Sequence, residues 1–553
     1  MITYYFKRKW SIHILFYLFT FILLIIYYRI FSNSQITTQQ IINIGLGILN
    51  IKIQGNITFE TTVQCLGHPY NQSCLFKNLY YVDSEFMILT VNGSSLPPLS
   101  LRTDAFIFWN QVPKKRVFET YVQLEKFVRN TIYPKVIPSL TLYFGQLWHH
   151  NIGHALFDGL YPAYVGLIRF SPRHLQSFRI LAGIDNCNDC WSEDVYGRFG
   201  GLGILKQRVL NAMSKNRWYM FEELVMGSGT MCQRCNQPNL QLCGGIELDA
   251  TRLFRDRMYR QHGLAHPIIR RNSSAEHRTR QDIIQAFIID NKRFTVEDRK
   301  ELDAAIHEIN NSTSKNLQWP LINVTYLHYN HVKAQNETIQ INATAADIRP
   351  PTYELVDNNF IAQLKILHRI DIHISGPGTG QMYQPFLSDG SVNINLGGLR
   401  PWGLEKTDQA YASYLEQHMT SGTPYIKGLY YPINERVKGI KKDEVIKLIR
   451  QASQLILEGF SLPVNPQENL AADGRIFVEM CERDKIFCSS VTVRSSNNTF
   501  ACLDMWVEDL VHENRQWSLN GFVDSGRNIT CPFNHTLLHE LRLKYGIKHN
   551  SKT

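Results

Sequence analysis

The sequence predicts an α/β protein built on parallel, doubly wound sheets, tied to a membrane by one N-terminal helix and ending in a small cysteine-containing module. Three observations predict it. Strand-length apolar runs alternate with helix-period segments over residues 275–400, residues 10–28 carry no Asp, Glu, Lys or Arg, and the 11 cysteines fall in clusters. Strand alternating with helix implies a parallel sheet covered on both faces.

The order begins with Lys7, Arg8 and Lys9, a basic cluster ahead of the uncharged run Trp10–Tyr28, in which His13 is the one ionisable group. About 20 apolar residues cross a bilayer core as a helix. Aromatic ends suit the two interfaces, and positive charge before the run keeps the N-terminus cytosolic. Residues 1–9 therefore read as a cytosolic tail, 10–28 as a transmembrane signal anchor and 29–60 as a stem. A cleaved signal peptide ending near Ser32 or Ser34 is the alternative, but the run exceeds the roughly 7–15 residues usual there. Either way the remaining chain is lumenal, in the Golgi or endoplasmic reticulum.

Two features agree with a lumenal location. N-x-S/T triplets begin at Asn56, Asn71, Asn92, Asn272, Asn311, Asn323, Asn336, Asn342, Asn497, Asn528 and Asn534. They are glycan acceptors only in the secretory pathway. The cysteines group as Cys65/Cys74, Cys187/Cys190, Cys232/Cys235/Cys243 and Cys481/Cys488/Cys502/Cys531. The two C-x-x-C pairs lie too far apart for a zinc ribbon, so disulfides are the better reading in an oxidising lumen. The net charge of +10 is dispersed, with no basic block and no nucleic-acid motif. A mildly basic surface suits an anionic small molecule.

Residues 61–270 read as a first α/β domain, with a strand at 139–145, a helix over 151–170 and apolar runs at 179–184 and 219–226. The charged stretch 270–280 (RRNSSAEHRTR) reads as a linker. Residues 271–400 form the second α/β domain. Its strands are expected near 287–289, 321–329, 372–375 and 392–396, with a capping box at Thr295 and Asp298 and a helix over 359–370. Residues 401–470 form a helical extension carrying an amphipathic helix at 443–459. Residues 471–553 form a disulfide-containing module with short β-like runs.

Three constellations carry chemistry. In LWHHNIGHALFDGLYP, residues His149, His150, Asn151, His154 and Asp158 crowd a strand-to-helix junction. Asn151, His154 and Asp158 share a helix face at spacings of three and four, which places a base beside its orienting group. Mutual pairing of His154 with Asp158 on a buried face is the bland reading. In ISGPGTGQM, the residues Gly376, Gly378, Thr379, Gly380 and Gln381 join a strand to a helix. Glycines admit close backbone approach, and a helix N-terminus offers N–H groups to phosphate. A tight turn is the alternative. Lys292 and Arg293 follow a strand, where a cation pairs with a diphosphate. No Asp-x-Asp triplet occurs, which favours phosphate binding by cations and backbone N–H groups and leaves no metal site to assign.

With these segments in hand, the chain resembles the family-61 glycosyltransferases. CLFKNLYY, HHNIGHALFDGLYPAYV, IIDNKRF and NNFIAQLKILHRIDIHISGPGTGQMYQPFLSDGSVNINLG carry the likeness, in order, across most of residues 65–400. The resemblance implies a GT-B pair of Rossmann-like domains in a type II membrane protein. It implies inverting transfer from a nucleotide diphosphate sugar, a UDP-sugar in this reading, to a glycan or glycoprotein hydroxyl, with no cofactor required. On that pattern His154 and Asp158 are catalytic, Asn151 and His150 lie on the acceptor side, and Lys292, Arg293 and Gly376–Gln381 hold the donor. The chain departs from the family at Pro377-Gly378, where His-Gly is usual, and at Asn395, where an acidic residue is usual. An inactive glycan-binding membrane protein with the same fold is the rival. A hydrolase is weaker, since no G-x-S-x-G motif is present.

Overall fold

The computed structural model describes residues 58–67, 72–99, 101, 112–145, 149, 152–184, 191–227, 250–276, 282–291, 294–313, 320–327, 360–376, 379–399, 410–411, 423–436, 438–464, 472–484, 486, 522–524, 527–529 and 533–546. Met1–Thr58 and Phe59–Thr553 are separate compact units, and the fold described is that of the second. The proposed anchor, residues 10–28, lies outside the described residues. Among those described, no helix is long and apolar enough to cross a membrane.

The architecture is mixed α/β with parallel sheets. The first sheet holds β1 (Thr62–Leu66), β2 (Ser73–Val82), β3 (Glu85–Val91), β4 (Lys114–Phe118), β5 (Lys135–Gly145), β6 (Phe178–Gly183), β7 (Gly201–Lys206) and β8 (Tyr219–Met226). Its order is β4-β3-β2-β8-β5-β6-β7, with β1 alongside β2. β8, β5, β6 and β7 run parallel, while β2 runs against β1, β3 and β8. The Cys65–Cys74 disulfide ties opposed residues of β1 and β2, a connectivity that the sequence leaves open. The side chains of the other nine cysteines lie outside the described set. A bulge interrupts β5 between Ile137 and Leu140. Pro138 lacks an N–H there, and the Ser139 N–H donates to Glu222 Oε2 at 2.7 Å instead of to the ladder.

The second sheet holds β9 (Ile284–Ile289), β10 (Ile322–Leu327), β11 (Ile372–Ser375), β12 (Val392–Asn395) and β13 (Lys427–Tyr430). All are parallel, in the order β10-β9-β11-β12-β13. The sheet thus continues past residue 400, where a domain end was expected. Its outer face is covered by α6 (Val296–Thr313) and α8 (Lys442–Glu458). The second of these was expected in a separate extension. Alternation along β9 shows why the strand is apolar throughout. Ile284, Ala286 and Ile288 enter the core under those helices, while Phe287 and Ile289 enter the core shared with the first sheet.

Between the sheets lie α2 (Tyr161–Ile168), α3 (Trp191–Gly200), α5 (Ala250–Gln261) and α7 (Phe360–Leu367). The remaining helices named here are α1 (Tyr121–Phe127), α4 (Gln207–Met213), α9 (Ala472–Arg483) and α10 (His535–Lys544). Helix α5 ties the sheets together. Its buried Arg257 donates to the carbonyls of Phe199 (2.7 Å), His174 (3.0 Å) and Gly200 (3.0 Å). Phe199 and Gly200 end α3, where unsatisfied carbonyls attract a cation. Burial lowers the pKa of Arg257 to about 10. On the other side Arg255 and Arg252 reach Asp389, ahead of β12, at 2.8 and 2.9 Å.

That contact corrects the linker reading of 270–280. Arg270 is buried, donating its N–H to Asp389 Oδ2 (2.9 Å) and Nη1 to the Asp389 carbonyl (2.7 Å). Ser273 bridges to Ser461, and Ser274 Oγ accepts from Phe460 N at 2.8 Å. The charge that looked solvated has a buried partner some hundred residues later in the chain. In 471–553 the described part is mainly helical rather than β. Helices α9 and α10 join through Arg483–Glu540 and Lys544–Glu479, and Phe522–Asp524 pairs with Arg527–Ile529 in a short two-stranded hairpin.

Asp389→Ala leaves buried guanidinium groups without their carboxylate. Breaking such a pair typically costs about 3–5 kcal/mol. Urea unfolding of the variant is expected to show a loss of that size, against a smaller loss for Arg252→Ala, whose side chain is 20% exposed.

Candidate functional site

In each sheet the chain reverses its direction of winding at one place, and ligands in α/β folds bind outside the strand C-termini there. In the second sheet that switch point lies between β9 and β11. The loop after β9 carries Asp290 to Phe294, and the loop after β11 begins at Gly376. The two loops touch. A Cβ on Gly376 would lie 2.7 Å from Phe294 Cε1 and 3.1 Å from Asn291 Cγ, so the position admits only glycine without displacement. Lys292 and Arg293 belong to the first loop and Gly378 to the second; their placement lies outside the described residues.

The β9 loop is clamped from below. Asp290 Oδ1 accepts from Arg299 Nε (3.0 Å), Tyr326 Oη (2.8 Å) and Asn291 N (2.9 Å). Arg299 Nη2 also holds the Asn291 carbonyl at 3.0 Å. Burial, with Asp290 adjacent, raises the Tyr326 hydroxyl well above its usual pKa, so it remains a donor. The expected capping box is present. Thr295 Oγ1 accepts from Asp298 N, and Asp298 Oδ2 accepts from Thr295 N, both at 3.0 Å. Asp298 also pairs with buried Arg436 at 2.8 Å, which fastens α6 to the end of the sheet.

The glycine segment differs from expectation. It enters a 3-10 helix, Thr379–Phe386, containing Pro385, rather than an α-helix. Every residue described between Gly380 and Gly398 whose side chain is placed is buried. Gln381 donates from Nε2 to the Ser375 carbonyl (2.9 Å), and its Oε1 accepts from Asn393 Nδ2 (3.0 Å) and from Gln384. His373 Nδ1 lies 2.7 Å from Asn393 Oδ1. Gln381 thus braces the loop from inside. Asn395 is engaged locally, its Oδ1 accepting from Gly397 N at 2.9 Å.

In the first sheet the switch point lies between β5 and β8. His149 follows the C-terminal end of β5, almost fully buried, with Nδ1 3.4 Å from Ser192 Oγ. His154 and Asp158 lie in a π-helical segment, His154–Leu160, and not in the expected α-helix. Its i→i+5 bonding takes more residues per turn than the α-helix, so two residues four apart stay about one turn apart. Such π segments recur at functional sites. The side chains of His154 and Asp158, together with His150 and Asn151, lie outside the described set.

Segments that follow the two switch points pack together. Phe157, between His154 and Asp158 in the chain, packs against Phe386 at the end of the 3-10 helix, with ring centroids 6.1 Å apart. Phe254 of α5 contacts both rings at 6.1 and 6.0 Å. Trp191 on α3 likewise lies 6.2 Å from Phe360 on α7. No sequence period announces these contacts, because the aromatics come from separate segments. A cavity of about 580 Å³ lined by Asp194, Arg198, Gly201 and Gln261 flanks edge strand β7, away from both switch points. Arg198 pairs with Asp194 there at 2.8 Å.

No family model and no curated protein matches the chain. Among the described residues no group of His, Cys, Asp or Glu is disposed to hold a metal ion.

Full burial lowers the His373 pKa from 6.5 to about 4. The unfolded chain therefore takes up this proton first as pH falls. The stability tied to neutral His373 is complete above about pH 6.5 and declines down to about pH 4, by about 3 kcal/mol in total. Unfolding free energies of the wild type and His373→Gln across that range are expected to show a shallower acid slope in the variant. A second expectation concerns Gly376→Ala. It displaces Phe294 or Asn291, and hydrogen exchange in residues 290–295 and 375–381 is expected to accelerate while β5–β8 stay unchanged.

Proposed function

We propose that this chain is an inverting glycosyltransferase of the secretory pathway with a GT-B arrangement. It moves a sugar from a nucleotide diphosphate sugar, a UDP-sugar in this reading, to a hydroxyl of a glycan or glycoprotein. The observation that carries the reading is that each of two packed parallel sheets has its own switch point, and that the segments following β5 and β11 contact one another through Phe157 and Phe386. A two-substrate transferase needs a donor pocket and an acceptor pocket side by side. Two packed sheets, each with a switch point at its strand ends, are a physical basis for that.

The roles follow from chemistry and position in the chain. The loop after β9 carries Lys292 and Arg293, the loop after β11 carries Gly376 and Gly378, and the 3-10 helix that follows begins with Thr379 and Gly380. Cations and backbone N–H groups there neutralise the leaving diphosphate. His154, with Asp158 orienting it, takes the proton from the acceptor hydroxyl as the new glycosidic bond forms at the anomeric carbon and the bond to the diphosphate breaks. Asn151 and His150 hold the acceptor. Gln381 supports the donor loop from within the core.

The test uses the detergent-solubilised full chain. UDP-sugars are screened for donor hydrolysis and for protection against thermal unfolding. A donor-dependent shift in melting temperature is expected, unaffected by chelator. His154→Ala is expected to lower transfer by about 10²–10⁴-fold with nucleotide affinity nearly unchanged, the size typical of losing a general base. Lys292→Ala is expected to weaken nucleotide binding instead. Absence of any nucleotide-dependent shift overturns the transferase reading, and binding without transfer to any acceptor favours the inactive glycan-binding rival.

A further inference from the structure

A sheet ends in strands whose outer N–H and C=O groups have no neighbouring strand, and such edges must be guarded against a strand from another molecule. The first sheet ends in β4 and β7, and the second in β10 and β13. Three of the N-x-S/T triplets stand at two of these edges.

On edge strand β4, Lys114, Lys115, Arg116 and Val117 are exposed. The cations discourage a partner strand by charge, but Val117 is 51% exposed, and Val122, on α1 after it, is 73% exposed. Asn92 stands at the end of this edge. Its N–H donates to the Phe118 carbonyl at 2.7 Å, one rung past the register pair of Val91 with Phe118. Its side chain is exposed. A Cβ on the next residue, Gly93, would meet nothing within 4 Å, so the turn opens into solvent. Ser94, the hydroxyl residue of the triplet, donates to Glu60 Oε1 at 2.6 Å, which fixes the turn.

On edge strand β10, Val324 shows the unpaired groups directly. Its N–H and C=O are taken by the side-chain amide of Asn310 on α6, at 2.9 and 3.0 Å. An amide offers both a donor and an acceptor, so it imitates a neighbouring strand for one residue. The residues beside this contact carry triplets. Asn311 follows Asn310, Asn323 precedes Val324, and both are exposed. Asn323 Nδ2 donates to Gln285 Oε1 at 3.2 Å. A glycosylated amide nitrogen keeps one N–H, so that bond and a glycan are compatible. Edge strand β7 has no triplet and is bent instead. Its register with β6 shifts between Phe178 and Ile180, and Gly201 and Gly203 have φ +86° and +80°.

We propose that N-linked glycans on Asn92, Asn311 and Asn323 guard the free edges β4 and β10 against strand pairing with a second copy of the chain. The host's transferase joins Nδ2 to the anomeric carbon of a lipid-diphosphate-linked oligosaccharide. The bond to the diphosphate breaks, the lipid diphosphate leaves, and Nδ2 gives up one proton. The attached sugar is bulky and hydrated, so it denies the edge to another strand while the residues packed beneath stay unchanged. The proposal rests on the secretory reading, which the Cys65–Cys74 disulfide supports from within the folded unit.

The experiment expresses the full chain in mammalian cells and purifies it in detergent. Peptide N-glycosidase in heavy-oxygen water converts each glycosylated asparagine to labelled aspartate, and label is expected at Asn92, Asn311 and Asn323. Asn92→Gln, and Asn311→Gln with Asn323→Gln, are each expected to form oligomers several-fold faster than wild type below the melting temperature. Two further variants lack the same glycans but return charge to the edge. Asn92→Gln with Val117→Lys, and Asn311→Gln with Asn323→Lys, are expected to stay as monomeric as wild type. Unlabelled Asn92 overturns the proposal for β4, and unlabelled Asn311 or Asn323 overturns it for β10, while label at other triplets leaves the secretory reading standing. No label at any triplet overturns that reading as well. Labelled sites whose Gln variants stay monomeric, or whose Lys variants oligomerise equally fast, overturn the guarding role.

Discussion

The burial of Asp389 among Arg252, Arg255 and Arg270 is the constraint on which the two-sheet arrangement depends. A buried carboxylate costs several kcal/mol of lost hydration unless its oxygens are paired, and these are paired on both sides. Arg255 is nearly enclosed. Burial works against its charge, but Tyr425, Asp256 and Asp389 outweigh that and hold its pKa above the ordinary value. Because Arg252 and Arg255 sit on α5 while Arg257 of the same helix reaches the carbonyls that end α3, one helix fixes the spacing of both sheets. The apolar core follows that geometry. Phe254, Met258 and Tyr259 from α5 join residues from both sheets in one continuous cluster. Tyr259 Oη adds bonds to the carbonyls of Leu364 and Phe386, at 3.0 and 2.9 Å.

The strand ends inherit their rigidity from this packing. Asp290 receives three donors, Gln381 is braced by Asn393, and Gly376 fits against Phe294 with no room for a side chain. A site that must hold a ligand's charge gains from groups positioned before the ligand arrives, since little reorganisation is then needed. Asp290, Asn291 and Gly376, at the described ends of the β9 and β11 loops, have that character, and their supports are polar groups already satisfied within the protein. The π-helical turn carrying His154 and Asp158 is set between Gly153 and Tyr161 and packs through Phe157, so its placement is tied to the same aromatic wall.

Several features were legible in the chain because they depend on near neighbours. The strand at Ile372–Ser375 has the expected bounds, the apolar run Tyr219–Met226 proves to be a strand, and β5 contains the expected 139–145 segment. The Thr295–Asp298 box forms as its spacing implies. Other features were hidden because their partners are remote. Arg270 looks solvated until Asp389 is placed beside it, and Lys427–Tyr430 becomes part of the second sheet only through β12. The helix after Gly376 was misjudged for a related reason. Glycines and Pro385 weaken α-helix formation, but the tight 3-10 winding is set by burial of Gln381 and Gln384 between strands.

The sequence by itself determined the α/β class, the strand-loop positions of Lys292, Arg293 and Gly376, and the crowding of His149 to Asp158 after a strand. These are local patterns of period, capping and turn chemistry, which need only a few neighbouring residues to be read. The tertiary structure alone decided that the winding reverses at β5/β8 and β9/β11, and that the segments after β5 and β11 pack together through Phe157 and Phe386. Strand order and the meeting of distant side chains depend on which surfaces bury one another, and no window of consecutive residues contains that information.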